Sequence, residues 1–153
     1  MADPVPPRLY LDDLSVGDRF RSATHALSEE DIKGFARVYD PQPFHLDDTA
    51  ARQTLFGGLA ASGWHTAAIT MRLLVDGGLP LSSIIGLGGE LSWPNPARPG
   101  DVLHVETTIQ EILPSRSKPD RGVVQCECTT LNQRGDVVQI LRPKLMVFRR
   151  PAA

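Results

Sequence analysis

The chain has 153 residues, 16 basic against 18 acidic, and a net charge of -2. A domain of that length buries roughly 70% of its unfolded surface, so one core and one active site are expected. The balanced charge gives no field to collect nucleic acid or an anionic membrane, and no apolar run approaches the roughly 20 residues of a membrane span. A soluble, cytoplasmic protein without nucleic-acid or membrane partners is expected.

Residues 1–18 read as an N-terminal tail and turn, and 19–150 as a single domain. The first seven residues carry neither the basic stretch nor the apolar run of a signal peptide. Arg19 to Leu27 suit a short strand after the Gly17-Asp18 turn. Ser28, with Asp31 three positions on, predicts a capped helix whose apolar face is Ile32, Phe35, Ala36 and Tyr39. Pro41 denies Asp40 the helical conformation and Pro43 does the same to Gln42, so Asp40 to Phe44 is expected to be extended and stiff. A second short helix is expected from Asp47 to about Gln53.

Gly57-Gly58 interrupts the chain before the strongest helical signal, which runs from Ser62-Gly63 to about Asp76 and closes on Gly77-Gly78. Its expected apolar stripe is Trp64, Ala67, Ala68, Met71, Leu74 and Val75, with Ile69 and Thr70 widening the buried arc and His65, Arg72 and Asp76 opposite. Four strands follow: Ile84 to Trp93, Val102 to Ile112, Val123 to Asn132 and Val137 to Arg149. In the second, Leu103, Val105, Thr107 and Ile109 share one face. Asn132 to Gly135 is short enough for a hairpin, and Pro143 predicts an edge, a bulge or a bend. Cys126 and Cys128 fall on one face and read as small apolar residues packed on the sheet, with no metal site. These elements give an α+β class in which an antiparallel meander curves around one long helix.

Chemistry concentrates after the first helix. Asp40 and His45 lie five positions apart across two prolines, and a bend would set both around one water. A carboxylate beside an imidazole that titrates near neutrality suits proton transfer, although the same residue types are common in turns. Ser62 reads first as a helix N-cap, Trp64 as core packing, and His65 as facing solvent or capped by a neighbour.

The segment Tyr39-Asp40-Pro41-Gln42-Pro43-Phe44-His45, followed by Phe56-Gly57-Gly58-Leu59-Ala60-Ala61-Ser62-Gly63-Trp64-His65, resembles the MaoC-like, R-specific enoyl-CoA hydratase family of the hot-dog fold. The resemblance runs from Ser28 to the end of the chain and includes Arg98-Pro99-Gly100-Asp101. It implies a sheet wrapped around a central helix, and an Asp40/His45 dyad that holds water for reversible hydration of a 2-enoyl-CoA. It also implies a Gly63 backbone N–H that polarises the thioester carbonyl. Ser62 and Trp64 would adjoin the substrate, and Arg116, Lys118 and Arg121 are candidates for the coenzyme A phosphates. No cofactor beyond the substrate's own coenzyme A is expected, and a homodimer is. The family motif has Asn where this chain has Gln42, so substrate preference or competence is expected to differ there. Two other readings stand beside hydration: an acyl-CoA thioesterase and a non-catalytic acyl-thioester binding module.

Overall fold

The computed structural model describes residues 7–152. Ser28 Oγ accepts from Asp31 N at 3.1 Å, and the helix it caps, α1, runs Glu29–Tyr39. Ile32 and Ala36 are wholly buried, but Tyr39 on the expected face is exposed. It sits in the last turn, beyond the core, with its ring 5.1 Å from that of Phe35. Asp40 leaves the helix at φ -151°, ψ 67°, as Pro41 requires.

The stretch after Asp40 is not extended throughout. Pro43 opens a short helix, α2 (Pro43–Leu46), in whose first turn a missing N–H costs nothing, and only Gln42 before it is held extended. His45 therefore projects from a helical turn. A further short helix, α3 (Asp48–Ala51), is capped by Asp47, whose Oδ1 accepts from Thr49 N at 3.0 Å.

The central helix α4 (Gly63–Leu73) continues through a wider turn, Leu74–Gly78, and ends where Gly77 adopts φ 126°. Its buried side is Thr66, Ile69, Thr70 and Leu73, whereas Trp64, Met71 and Val75 are exposed. The stripe expected from hydropathy is thus mostly on the wrong side, although Ile69 and Thr70 are buried as expected. Threonine hydroxyls that find partners pack inward at no polar penalty, and Thr70 Oγ1 lies 2.6 Å from Thr130 Oγ1. Trp64 is accordingly not a core residue. His65, expected outside, is buried with its ring stacked on Phe35 at 4.7 Å, and burial pulls its pKa below the usual 6.5.

Strands β1 (Arg19–Arg21), β2 (His25–Ala26), β3 (Ile85–Ser92), β4 (Val102–Pro114), β5 (Arg121–Leu131) and β6 (Val137–Phe148) pair antiparallel. The order is β1-β4-β5-β6-β3, with β2 beside the start of β4. The meander holds for β4 to β6, but β3 lies at the far edge against β6 instead of beside β4. Residues 93–101 make the crossing, about 30 Å of extended chain for three strand spacings of about 4.8 Å. Leu103, Val105, Thr107 and Ile109 do share the buried face of β4, and Val124, Cys126, Cys128 and Thr130 that of β5. The two sulfurs lie 3.9 Å apart as free thiols. The expected hairpin forms at Asn132–Gly135, where Asn132 Oδ1 accepts from the N–H groups of Arg134 and Asp136.

Pro143 is not at an edge, since β6 is paired on both sides. It stands opposite Gly89 of β3, beside the register shift between Gly86 and Gly88, and the pairing of β5 with β6 is interrupted at the same place, between Gln125↔Lys144 and Cys128↔Leu141. Nor is the whole N-terminal stretch a tail: Leu9 bridges Leu81, and Leu11 and Leu14 belong to the core. Residues 1–6 of that expectation lie outside the described residues. Among the described residues no helix is long and apolar enough to cross a membrane.

Because α1 delivers Asp40 and is anchored by Ile32, Ile32→Ala is expected to cost about 2–5 kcal/mol in denaturant unfolding. A loss below about 1 kcal/mol would show that this anchor is not part of the packed core.

Candidate active site

A cavity of about 540 Å³ opens beside α2, the first turn of α4 and the loop after β3, with His45, Phe56, Gly63, Thr66, Trp93 and Val138 in its wall. A larger groove of about 670 Å³ lies between Tyr10, Ser83, Phe148 and the C-terminal arginines. The first cavity is the better site for proton transfer. In the second, Arg149 and Arg150 are committed to Asp12 and Asp13 at 2.7 Å and 2.6 Å.

His45 is buried, and its Nε2 lies 3.3 Å from Asp40 Oδ2. Its Nδ1 lies 2.6 Å from the carbonyl oxygen of Ala60, which only accepts, so the proton on that side of the ring is fixed on Nδ1. Nε2 is left to face Asp40 and the cavity. Phe44 meets the imidazole edge-on at 4.6 Å and Phe56 flanks it at 5.9 Å, which restricts ring rotation.

Burial pushes the Asp40 carboxyl up, but the Ser62 hydroxyl, the Gln42 amide and His45 outweigh it, and the net shift is below the ordinary 3.8. Gln42 Nε2 donates to Asp40 Oδ1 at 2.6 Å. Ser62 stands at the N-cap position of α4, yet its side chain caps nothing. Its Oγ is buried without closing a hydrogen bond, and it favours the ionised Asp40. Gly63 follows, and its N–H finds no acceptor among the described residues.

Sequence reasoning missed the residues that hold this geometry. Arg98 donates through one terminal nitrogen to the carbonyls of Gly58 (2.8 Å) and Leu59 (3.3 Å), and through the other to that of Phe56. Asp48 Oδ1 accepts from Leu59 N at 2.9 Å. Together they clamp the loop that ends in the Ala60 carbonyl. The only signal was the place of Arg98 in the Arg-Pro-Gly-Asp segment, because a side chain bonded to backbone carries no partner motif.

The profile of the "MaoC like domain" matches residues 14–130. The chain belongs to the MaoC-like dehydratase family. The crystal structure of the MaoC-like dehydratase from Rhodospirillum rubrum is 67% identical, with a TM-score of 0.93 over 94% of this chain and 99% of that one. The R-hydratase PhaJ1 from Pseudomonas aeruginosa is 28% identical, with a TM-score of 0.76 over 94% and 88%. A 3-hydroxybutyryl-CoA dehydratase of Methylorubrum extorquens is 31% identical over 122 residues, 79% of this chain and 74% of its own. The fold is the hot-dog fold of these MaoC-like neighbours, and the hydratase and dehydratase relatives support a lyase.

In this MaoC-like chain Asp40, His45, Ser62 and Gly63 come together, and the other candidates do not. Trp64 is exposed, and its ring meets Trp93 at 5.4 Å instead of facing the cavity. Arg116 and Lys118 are exposed, and Arg121 is spent on Asp120 and the face of Phe148. Their loop lies at the far end of β4, roughly 40 Å of strand from the cavity end, so no phosphate contact from the same chain follows.

Removing the Gln42 amide withdraws one of the groups that lower the Asp40 pKa. In Gln42→Ala, Asp40 is expected to titrate at higher pH than in the wild type, read by carboxyl-carbon NMR. An unchanged or lower titration would show that the amide does not stabilise the carboxylate.

Proposed function

We propose that the chain catalyses reversible addition of water to a 2-enoyl-CoA, giving an (R)-3-hydroxyacyl-CoA. The observation that carries this reading is the pairing of a partly exposed Asp40 with a buried His45, with one imidazole nitrogen committed to Ala60 and the other free to face the carboxylate and the cavity. A water held across Nε2 and Oδ2 gives a proton to the dyad as its oxygen bonds to the β-carbon. The alkene pair moves into an enolate on the thioester oxygen, and the α-carbon then takes a proton from the dyad. Hydrogen and hydroxyl are added and nothing leaves.

The enolate charge needs a donor that is already in place. Gly63 N–H at the first turn of α4 supplies one, worth about 3 kcal/mol when well aligned, and the helix dipole has the matching sign. The low pKa direction at Asp40 keeps the carboxylate ionised, as a proton acceptor requires. Addition of water transfers no electrons to an acceptor, so coenzyme A enters only as the substrate's handle. Wild-type protein is expected to bleach the conjugated thioester absorbance of crotonyl-CoA, and Asp40→Asn to lose roughly two to four orders of magnitude in turnover. Absence of hydration by wild type across chain lengths, or near-normal turnover by Asp40→Asn, would sink the reading.

The working unit in this reading is a homodimer. Trp64, Met71 and Val75 form an exposed apolar line along α4, and β3 is an edge strand carrying exposed Ile85 and Leu87. A second copy meeting both would extend the sheet and cover the line. Light scattering is expected to give twice the 16.7 kDa chain mass, and Met71→Glu to shift the protein toward monomer. A monomeric wild type would contradict this arrangement.

A further inference from the structure

Trp93 is held more tightly than a half-exposed side chain at a strand end needs to be. A methyl group placed on Gly63 would fall 2.5 Å from Cε2 of its ring, so the indole sits directly on the Gly63 backbone. Its Nε1–H donates to Gln139 Oε1 at 2.9 Å, Gln139 Nε2 donates to Thr70 Oγ1 at 3.0 Å, and Thr70 pairs with Thr130. Gln139, Thr70 and Thr130 are each 0% exposed. A buried glutamine in an otherwise apolar core is costly unless both ends of its amide are used, and here they are. The chain of hydrogen bonds fixes the ring against rotation.

The place where the ring is fixed matters. Trp93 lines the cavity with Gly63, the proposed carbonyl site, and with Thr66 and Val138, which are 2% and 1% exposed. Thr66 lies one turn beyond Gly63, about 4.5 Å along α4, and the next inward residues of the helix, Ile69 and Thr70, are closed into the core. An extended chain advances about 1.2 Å per bond, so that depth takes about three or four carbons beyond the thioester carbonyl.

Resting on the hydration reading above, we propose that Trp93 is a specificity-determining wall of the acyl site. Pinned by Gln139, Thr70 and Thr130 and stacked on Gly63, it restricts the substrate to short 2-enoyl thioesters. A wall that could swing aside would admit longer chains, and the polar relay prevents that.

The test compares kcat/KM for crotonyl-, hexenoyl- and octenoyl-CoA in wild type, Trp93→Ala and Trp93→Phe, with melting curves for each variant. Wild type is expected to prefer crotonyl-CoA over octenoyl-CoA, and Trp93→Ala to narrow that preference by roughly tenfold or more. Trp93→Phe, which keeps an aromatic ring but releases Gln139, is expected to narrow it less, and it decides the matter if the alanine variant fails to fold. An unchanged preference in the folded variant, or a wild type that turns over octenoyl-CoA as well as crotonyl-CoA, overturns the proposal and leaves hydration standing. A wild type inactive on all three overturns hydration itself, and this proposal with it.

Discussion

The hydrogen bond between His45 Nδ1 and the Ala60 carbonyl is the contact on which the site depends. It joins two parts of the chain that approach the cavity independently: the proline-bounded turn that carries Asp40 and His45, and the loop that leads into α4. A carbonyl can only accept, so the bond fixes which imidazole nitrogen carries the proton and which way the ring faces. Without it the ring would be free to present either nitrogen, and the 3.3 Å approach to Asp40 would be one arrangement among several.

The surrounding residues keep that carbonyl where it is. Arg98 holds the carbonyls just before it and Asp48 holds the N–H of Leu59, so the loop is fixed by side chains from both sides of the cavity. Ala61 N then donates to the Ala97 carbonyl at 2.9 Å, which brings the loop onto the segment carrying Trp93 and Arg98. The first turn of α4 follows directly. The Gly63 N–H, which has no partner among the described residues, and the imidazole of His45 are therefore positioned by one short stretch, residues 56–63, and a shift in that stretch moves both.

Much of this was legible from local chemistry. Ser28 and Asp31 marked the start of α1, Pro41 marked its end, and strict alternation along β4 and β5 identified their buried faces, because in each case one or two neighbouring residues decide the outcome. The inward face of α4 was legible only in part: Ile69 and Thr70 were expected in the buried arc, but Thr66 looks polar in sequence, and Thr70 finds its partners only when Thr130 and Gln139 arrive from the sheet. Pro43 misled for a related reason: proline before a turn and proline opening a helix impose the same backbone restriction on the preceding residue. The position of β3 depended on a crossover whose direction no local signal encodes. Trp93 and Gln139 are 46 positions apart, and only the pairing of β3 with β6 brings them together.

Hydration and thioester hydrolysis draw on the same parts, a held water and a donor at the thioester oxygen, and differ in which carbon the water reaches. Turnover of crotonyl-CoA in heavy-oxygen water, with the products read by mass spectrometry, separates them most directly. The account predicts heavy oxygen in the hydroxyl at the β-carbon, with the thioester intact. Heavy oxygen in a free carboxylate together with released thiol, and none at the β-carbon, would contradict it.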